Sequence, residues 1–260
     1  MVSKAKVIIA GVVVALSTAG LARAEQLHAP PTAGEVRTRT LTWVAGQKGI
    51  DKATLERVGK VWALGEEKLS TRELFAKVVE TFTIADPKSR TFVGSCALMR
   101  APLLPPKPIA LEGDGVDKFY AANMGLYYGR YLAQRKMFDE ALKVFRKVDV
   151  AQSVDPALYL FFKACCEHQL LLKEDGLKTI GTLLRNTEGV PTRYSTVATL
   201  MEVELKGLQL DSLNAASRLM KDSERRLDLA RGGRKVQKVQ DEIVTILDDI
   251  IEKLEQQGGT

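Results

Sequence analysis

The densest chemistry-bearing run in the chain is Cys165-Cys166-Glu167-His168, which places Cys165 and His168 within one helical turn. A thiol and an imidazole at that spacing can supply two metal ligands, or a nucleophile beside its base. Zinc requires three or four protein ligands. The remaining histidine, His28, and the remaining cysteine, Cys96, form no second cluster. The run also lacks the C-x-x-C-H spacing of covalent haem attachment. Nowhere is there a phosphate-binding glycine loop, a G-x-S-x-G or an H-E-x-x-H. The expectation is therefore no catalytic residue, no metal and no cofactor, hence a non-enzymatic protein. The competing reading is an enzyme whose working carboxylates follow no recognisable spacing.

Charge supplies the second candidate. Arg225, Arg226, Arg231, Arg234, Lys235 and Lys238 gather around Gly232-Gly233. Cations near the end of the preceding helix suit its dipole, but Arg234 and Lys235 open the next helix, where positive charge is mildly unfavourable. Arg231, Arg234, Lys235 and Lys238 are thus candidates for binding an anionic envelope polymer or a membrane surface, with intramolecular acids as the competing explanation. The third candidate is aromatic. Tyr127, Tyr128 and Tyr131 cluster on one segment. Tyrosine combines apolar area with a hydrogen-bonding tip, which suits a protein or peptide contact as well as a core boundary.

The elements that would position these residues begin after residue 24. Lys4 and Lys6 precede an uncharged apolar run over 7–16, and Ala22-Arg23-Ala24 follows. That order reads as a secretory signal peptide cleaved near Ala24, so the protein is expected in the periplasm or secreted. The apolar run is too short for the roughly 20 residues that span a bilayer. Losing Lys4, Lys6 and Arg23 with no acid lowers the formal charge from +6 to +3, so whole-molecule charge gives no reason to expect nucleic acid. An oxidising compartment permits a disulfide from Cys96 to Cys165 or Cys166. Three reduced core cysteines are the alternative.

Residues 25–34 read as a loose polar tail, and 35–45 fit either a strand or a helix. Asp51 predicts an N-cap, Ser70-Thr71-Arg72-Glu73 a capping box, and Asp86-Pro87 a helix boundary. The N-terminal helical region is expected over 25–100, with a short helix carrying Phe92, Cys96 and Met99 at its end. Pro102, Pro105, Pro106 and Pro108, then Gly113 and Gly115, interrupt helix over 101–116. That stretch is either a linker or an ordered crossing within one domain. Helical periodicity then predicts helices near 117–134, 137–147, 156–172, 174–185, 192–208, 211–230 and 234–257.

Within residues 117–208, Gly129, Ala141 and Phe145 resemble the small–small–aromatic pattern of tetratricopeptide repeats, with Leu132 where that pattern has Tyr. A weaker copy lies 35 residues on, with Ala164, Gly176 and Ile180 replacing them and Glu167 at the position of Leu132. The segment Phe138-Asp139-Glu140-Ala141-Leu142-Lys143-Val144-Phe145 resembles the second helix of a tetratricopeptide repeat, whose period is near 34 residues. The resemblance implies an all-α fold of stacked antiparallel hairpins, a tetratricopeptide-like superhelix, with a groove for peptides or partner helices. Residues 209–260 are expected as a long C-terminal helical hairpin, since Val236, Val239, Ile243, Ile246, Ile250 and Leu254 repeat in steps of three and four. A stripe that regular must be covered by the repeats or by a second copy. Glycine at 232–233 is expected to supply the left-handed residue of its turn.

Leu126-Tyr127-Tyr128-Gly129-Arg130-Tyr131-Leu132, Cys166-Glu167-His168, Pro191-Thr192-Arg193-Tyr194 and Arg225-Arg226-Leu227-Asp228-Leu229 further resemble exported helical proteins of planctomycete-type bacteria. That resemblance implies a compartment and a helical fold and carries over no functional residue. It would place Gly where this chain has Ala230. The reading that results is an exported, non-enzymatic protein- or peptide-binding scaffold of the cell envelope, with self-association through the C-terminal helices as a further expectation.

Overall fold

The computed structural model describes residues 27–63, 69–98, 104–109, 111–113 and 115–258. The expected signal peptide and Met99 lie outside them. Among the described residues the chain is all-α, with eleven α-helices.

The first four helices are α1 (Ala33–Ala45), α2 (Lys52–Val61), α3 (Thr71–Ala85) and α4 (Pro87–Ser95). Segment 35–45 resolves as helix because Val36, Thr40, Trp43 and Val44 fall on one buried face. Thr32 and Glu35 add a capping box, with the Thr32 amide donating to Glu35 Oε2 at 2.7 Å. The boxes and caps expected further along form as anticipated. The Ser70 amide donates to Glu73 Oε2 at 2.7 Å, and Asp51 Oδ1 accepts from the Thr54 amide at 2.7 Å. Asp86 ends α3 and caps α4 at once. The segment expected to be loose is partly tied down: the His28 amide donates to the Asn186 carbonyl at 2.8 Å and its carbonyl accepts from Glu188 at 3.0 Å. His28 is thereby fastened to the loop after α8.

Seven more helices follow: α5 (Lys118–Gln134), α6 (Phe138–Phe145), α7 (Pro156–Gln169), α8 (Lys173–Arg185), α9 (Thr192–Gly207), α10 (Leu213–Asp228) and α11 (Arg234–Gly258). Neighbours in sequence pack as hairpins, α5 on α6, α7 on α8 and α10 on α11. Alternate helices also touch in turn, α1 to α3, α3 to α5, α5 to α7 and α7 to α9. The aromatic joint between the first helices and α5 is Trp43, stacked on Tyr120 at 5.0 Å and tilted against Phe82 at 4.6 Å.

Close approach explains the small residues. A Cβ built on Gly129 would lie 2.6 Å from Phe145 Cε1, so α5 and α6 meet only because that position is glycine. In the second hairpin a Cβ on Gly176 would meet Leu205 Cδ1 at 2.7 Å. The two turns are also alike. Lys136 and Leu171, 35 residues apart, are both left-handed (φ 55° and 56°). Each is followed by the same reversed hydrogen bond, Met137 to the Leu132 carbonyl and Leu172 to the Glu167 carbonyl, both 2.9 Å.

The turn between α10 and α11 repeats the device, which corrects the role given to its glycines. Ala230 is the left-handed residue (φ 55°), with the Arg231 amide donating to the Arg226 carbonyl at 2.9 Å, whereas Gly232 and Gly233 keep ordinary dihedrals. The helix end needs one left-handed residue directly after its last turn, and Gly232 comes two positions too late.

Candidate binding cleft

The alternate helices α3, α5, α7 and α9 line a cleft of about 380 Å³. Arg72 enters from the first turn of α3, Arg130 from near the end of α5, and Arg193 from the first turn of α9. The floor is aromatic, built from Phe161, Phe162 and Tyr194. Phe161 stacks on Tyr194 at 4.2 Å between centroids, and the Arg193 guanidinium lies over the Tyr194 ring at 4.8 Å. Arg193 Nη2 also donates to Tyr194 Oη at 3.2 Å. Arg130 lies 6.0 Å from the centre of the Phe75 ring, and its Nε is buried without a hydrogen-bond partner.

Among the described residues, no carboxylate pairs with any of these three arginines, and none lines the cleft. A negative charge that Arg130 and Arg193 feel is Asp155, buried at the N-cap of α7, where Oδ1 accepts from the Leu158 amide at 2.8 Å. Burial pushes the Asp155 carboxyl up, and the Leu158 amide, Arg130 and Arg193 do not offset it. Two of the three guanidiniums, those of Arg130 and Arg193, thus act on this one acid, which does not line the cleft. Guanidinium forks bind carboxylate and phosphate with paired N–H donors, and aromatic faces accept apolar or cationic groups beside them. A cavity of this size and composition suits a small anionic group carried on an apolar or aromatic body.

Sequence reading singled out none of the three as a site. One local signal was present: no Asp or Glu stands three or four residues from Arg72, Arg130 or Arg193, so none has an ion-pair partner along its own helix.

The residues that were singled out are placed differently. Tyr128 and Tyr131 are buried at 3 % exposure, which corrects their reading as a contact surface. Tyr128 Oη donates to the Pro106 carbonyl at 2.6 Å, its ring meets Phe92 edge-on, and Arg135 Nη1 donates to Tyr131 Oη at 3.1 Å. Tyr127 is half-buried, with its hydroxyl 3.5 Å from the Val93 carbonyl. Helix α5 sits between neighbours on nearly every side, so its tyrosines pack rather than project.

The basic tip is largely neutralised within the molecule. Arg226 Nη1 lies 2.6 Å from Asp139 Oδ2 and its Nε 2.6 Å from Asp222 Oδ2. Arg225 pairs with Asp222, Lys235 with Asp139, and Arg231 Nη1 reaches Glu140 Oε2 at 2.6 Å. Burial works to raise the Asp139 carboxyl, but the hydrogen bonds and charges of Arg226 and Lys235 outweigh it and hold it low. Of the four cations proposed for anion binding, Arg231 and Lys235 are occupied by α6. Arg234 and Lys238 stay exposed and unpaired among the described residues.

The three cysteines are free thiols, so of the two alternatives the reduced one holds. They belong to separate packing environments: Cys96 caps the end of α4, while Cys165 and Cys166 lie inside α7. Burial pushes Cys96 up to about 11 and Cys165 up to about 12, so both stay protonated and poorly nucleophilic. His168 is buried, with Nε2 2.8 Å from Glu204 Oε2 and 3.0 Å from Arg218 Nη2. Among the described residues no group of three His, Cys, Asp or Glu side chains could hold a metal, and no helix is long and apolar enough to cross a membrane.

Comparison with family models, curated proteins and solved structures finds no match. The cleft must be read from its own chemistry.

Proposed function

We propose that the protein is a non-enzymatic binding module of the cell envelope that takes an anionic peptide segment in the Arg72–Arg130–Arg193 cleft. One observation carries the reading: arginines from three helices line one cleft with an aromatic floor, and among the described residues none of them forms an ion pair. Arg130, the one of the three that is half-buried, differs in this from Lys163, which Glu167 accompanies, and from Arg226, which Asp139 and Asp222 accompany. Leaving Arg130 Nε buried and unpartnered costs about 1–3 kcal/mol, more for a charged group, a cost that a bound carboxylate would remove. The signal-like N-terminus supports export, and the ladder of alternate helices supports a rigid peptide-binding surface.

The test is calorimetric titration with a short peptide carrying two carboxylates beside a phenylalanine, against its amidated, uncharged counterpart. Binding should favour the charged peptide at least tenfold and weaken as salt is raised. Arg130→Gln with Arg193→Gln should abolish it while the melting temperature holds. Equal retention of the uncharged peptide, or undiminished binding by the double variant, overturns the reading.

A further inference from the structure

The C-terminal hairpin carries a second surface, independent of the cleft. Leu213, Met220 and Leu227 recur every seven residues on α10, as do Val244 and Ile251 on α11. All five are between 46 and 64 % exposed, in helices that pack well elsewhere. On α10, Ala215, Asp222 and Arg226 are buried towards the body of the protein, while Ala216 and Ser223, about a quarter-turn round, are buried beside α11. Leu213, Met220 and Leu227 lie further round in the same sense, beyond the α11 side and away from the body. On α11, Val236, Ile243 and Ile246 are buried, and Val244 and Ile251 stand about 100° from that face. Antiparallel helices turn in opposite senses when viewed from one end. That brings both apolar rows to the same side of the hairpin, its outer side, as one continuous seam.

Carboxylates edge the seam. Asp241, Asp248 and Glu255 run along α11 at seven-residue intervals in a row that begins at exposed Arg234, and Glu224 and Asp228 flank the α10 row on an edge they share with exposed Lys221, so the carboxylates outnumber the cations five to two. All five are exposed, and none has an ion-pair partner among the described residues. Leu213 to Leu227 spans about 21 Å at 1.5 Å per residue, room for a helix of four turns.

We propose that this outer face docks a basic amphipathic helix of a partner protein, an apolar stripe flanked by Lys or Arg that lies along the seam between the acidic edges. A second copy of the chain would bring like charges together along the same edges, so charge selects a basic occupant over self-pairing.

The full chain is titrated with two labelled helical peptides that share one apolar heptad pattern, one flanked by Lys and the other by Glu, and anisotropy is read. The Lys peptide should bind at least tenfold more tightly than the Glu peptide, and Met220→Lys with Ile251→Lys should abolish binding. Those positions are exposed, so circular dichroism and melting should not change, and Arg130→Gln, which tests the cleft, should leave this binding intact. Equal binding of the two peptides, or binding of neither, overturns the proposal. So does a dimer in light scattering that Ile251→Lys dissociates while the Lys peptide fails to bind.

Discussion

The Lys163–Glu167 pair offers the sharpest test of the packing argument. Glu167 on α7 is 1 % exposed, and its Oε1 lies 2.5 Å from Lys163 Nζ, which also donates to Thr179 Oγ1 on α8 at 2.6 Å. Its other oxygen is buried without a partner. Lys163→Met would leave that carboxylate uncompensated, which costs about 3–5 kcal/mol for a fully buried pair. Lys163 keeps 20 % of its side chain exposed, so water can partly replace it and the lower end, about 3 kcal/mol, applies. For a chain of this size that is a fall in melting temperature of roughly 6–12 °C. Glu167→Leu restores the residue type found at Leu132 in the first hairpin, buried at 0 % exposure, and frees Lys163 to turn outward. It should be neutral or stabilising by about 1 kcal/mol. Combined with Glu167→Leu, Lys163→Met should then cost little. Urea unfolding followed by circular dichroism and by the fluorescence of buried Trp62 reads all four proteins of the cycle. A cost below about 1 kcal/mol for Lys163→Met in the presence of Glu167 would refute the reasoning, because the burial argument allows no smaller value.

Three further outcomes follow from geometry. Ala230→Gly should stabilise the protein by about 0.5–1 kcal/mol in the same unfolding assay, since left-handed backbone costs an L-residue about 1–2 kcal/mol and glycine little. Gly129→Ala should destabilise by about 1–2 kcal/mol despite its better helix propensity, because Phe145, wholly buried, cannot yield to a Cβ at 2.6 Å; a stabilised variant would show that α5 and α6 separate freely. Burial lowers His168, the Glu204 bond opposes this and Arg218 reinforces it, so the folded state holds a neutral imidazole. That contribution is complete above about pH 6.5 and is lost as pH falls through the lower folded value, so urea midpoints should drop below pH 6.5 in the native chain and flatten in His168→Gln.

What could be read along the chain was what local chemistry decides. Asp51, Ser70 with Glu73, and Asp86-Pro87 end or begin helices through contacts within three residues, and all act where their spacing places them. Gly129 and Phe145 marked a close crossing because only a missing Cβ allows one. The choice between strand and helix for 35–45 was open, since its alternating threonines fit both until Val36, Thr40, Trp43 and Val44 turned towards α3. Functional placement lay beyond such reasoning. Tyr128 and Tyr131 disappear into the core because α5 is enclosed on most sides, which no stripe on its own helix records. Lys235 is occupied by Asp139, 96 residues away, and Arg231 by Glu140, so a basic run in sequence became an internal ion-pair cluster. Conversely Arg72, Arg130 and Arg193, spread over 121 residues, come to line one cleft only when α3, α5 and α9 are set side by side. Caps and periodicity are settled by the nearest few residues, whereas the neighbour across a helix interface depends on every turn between them.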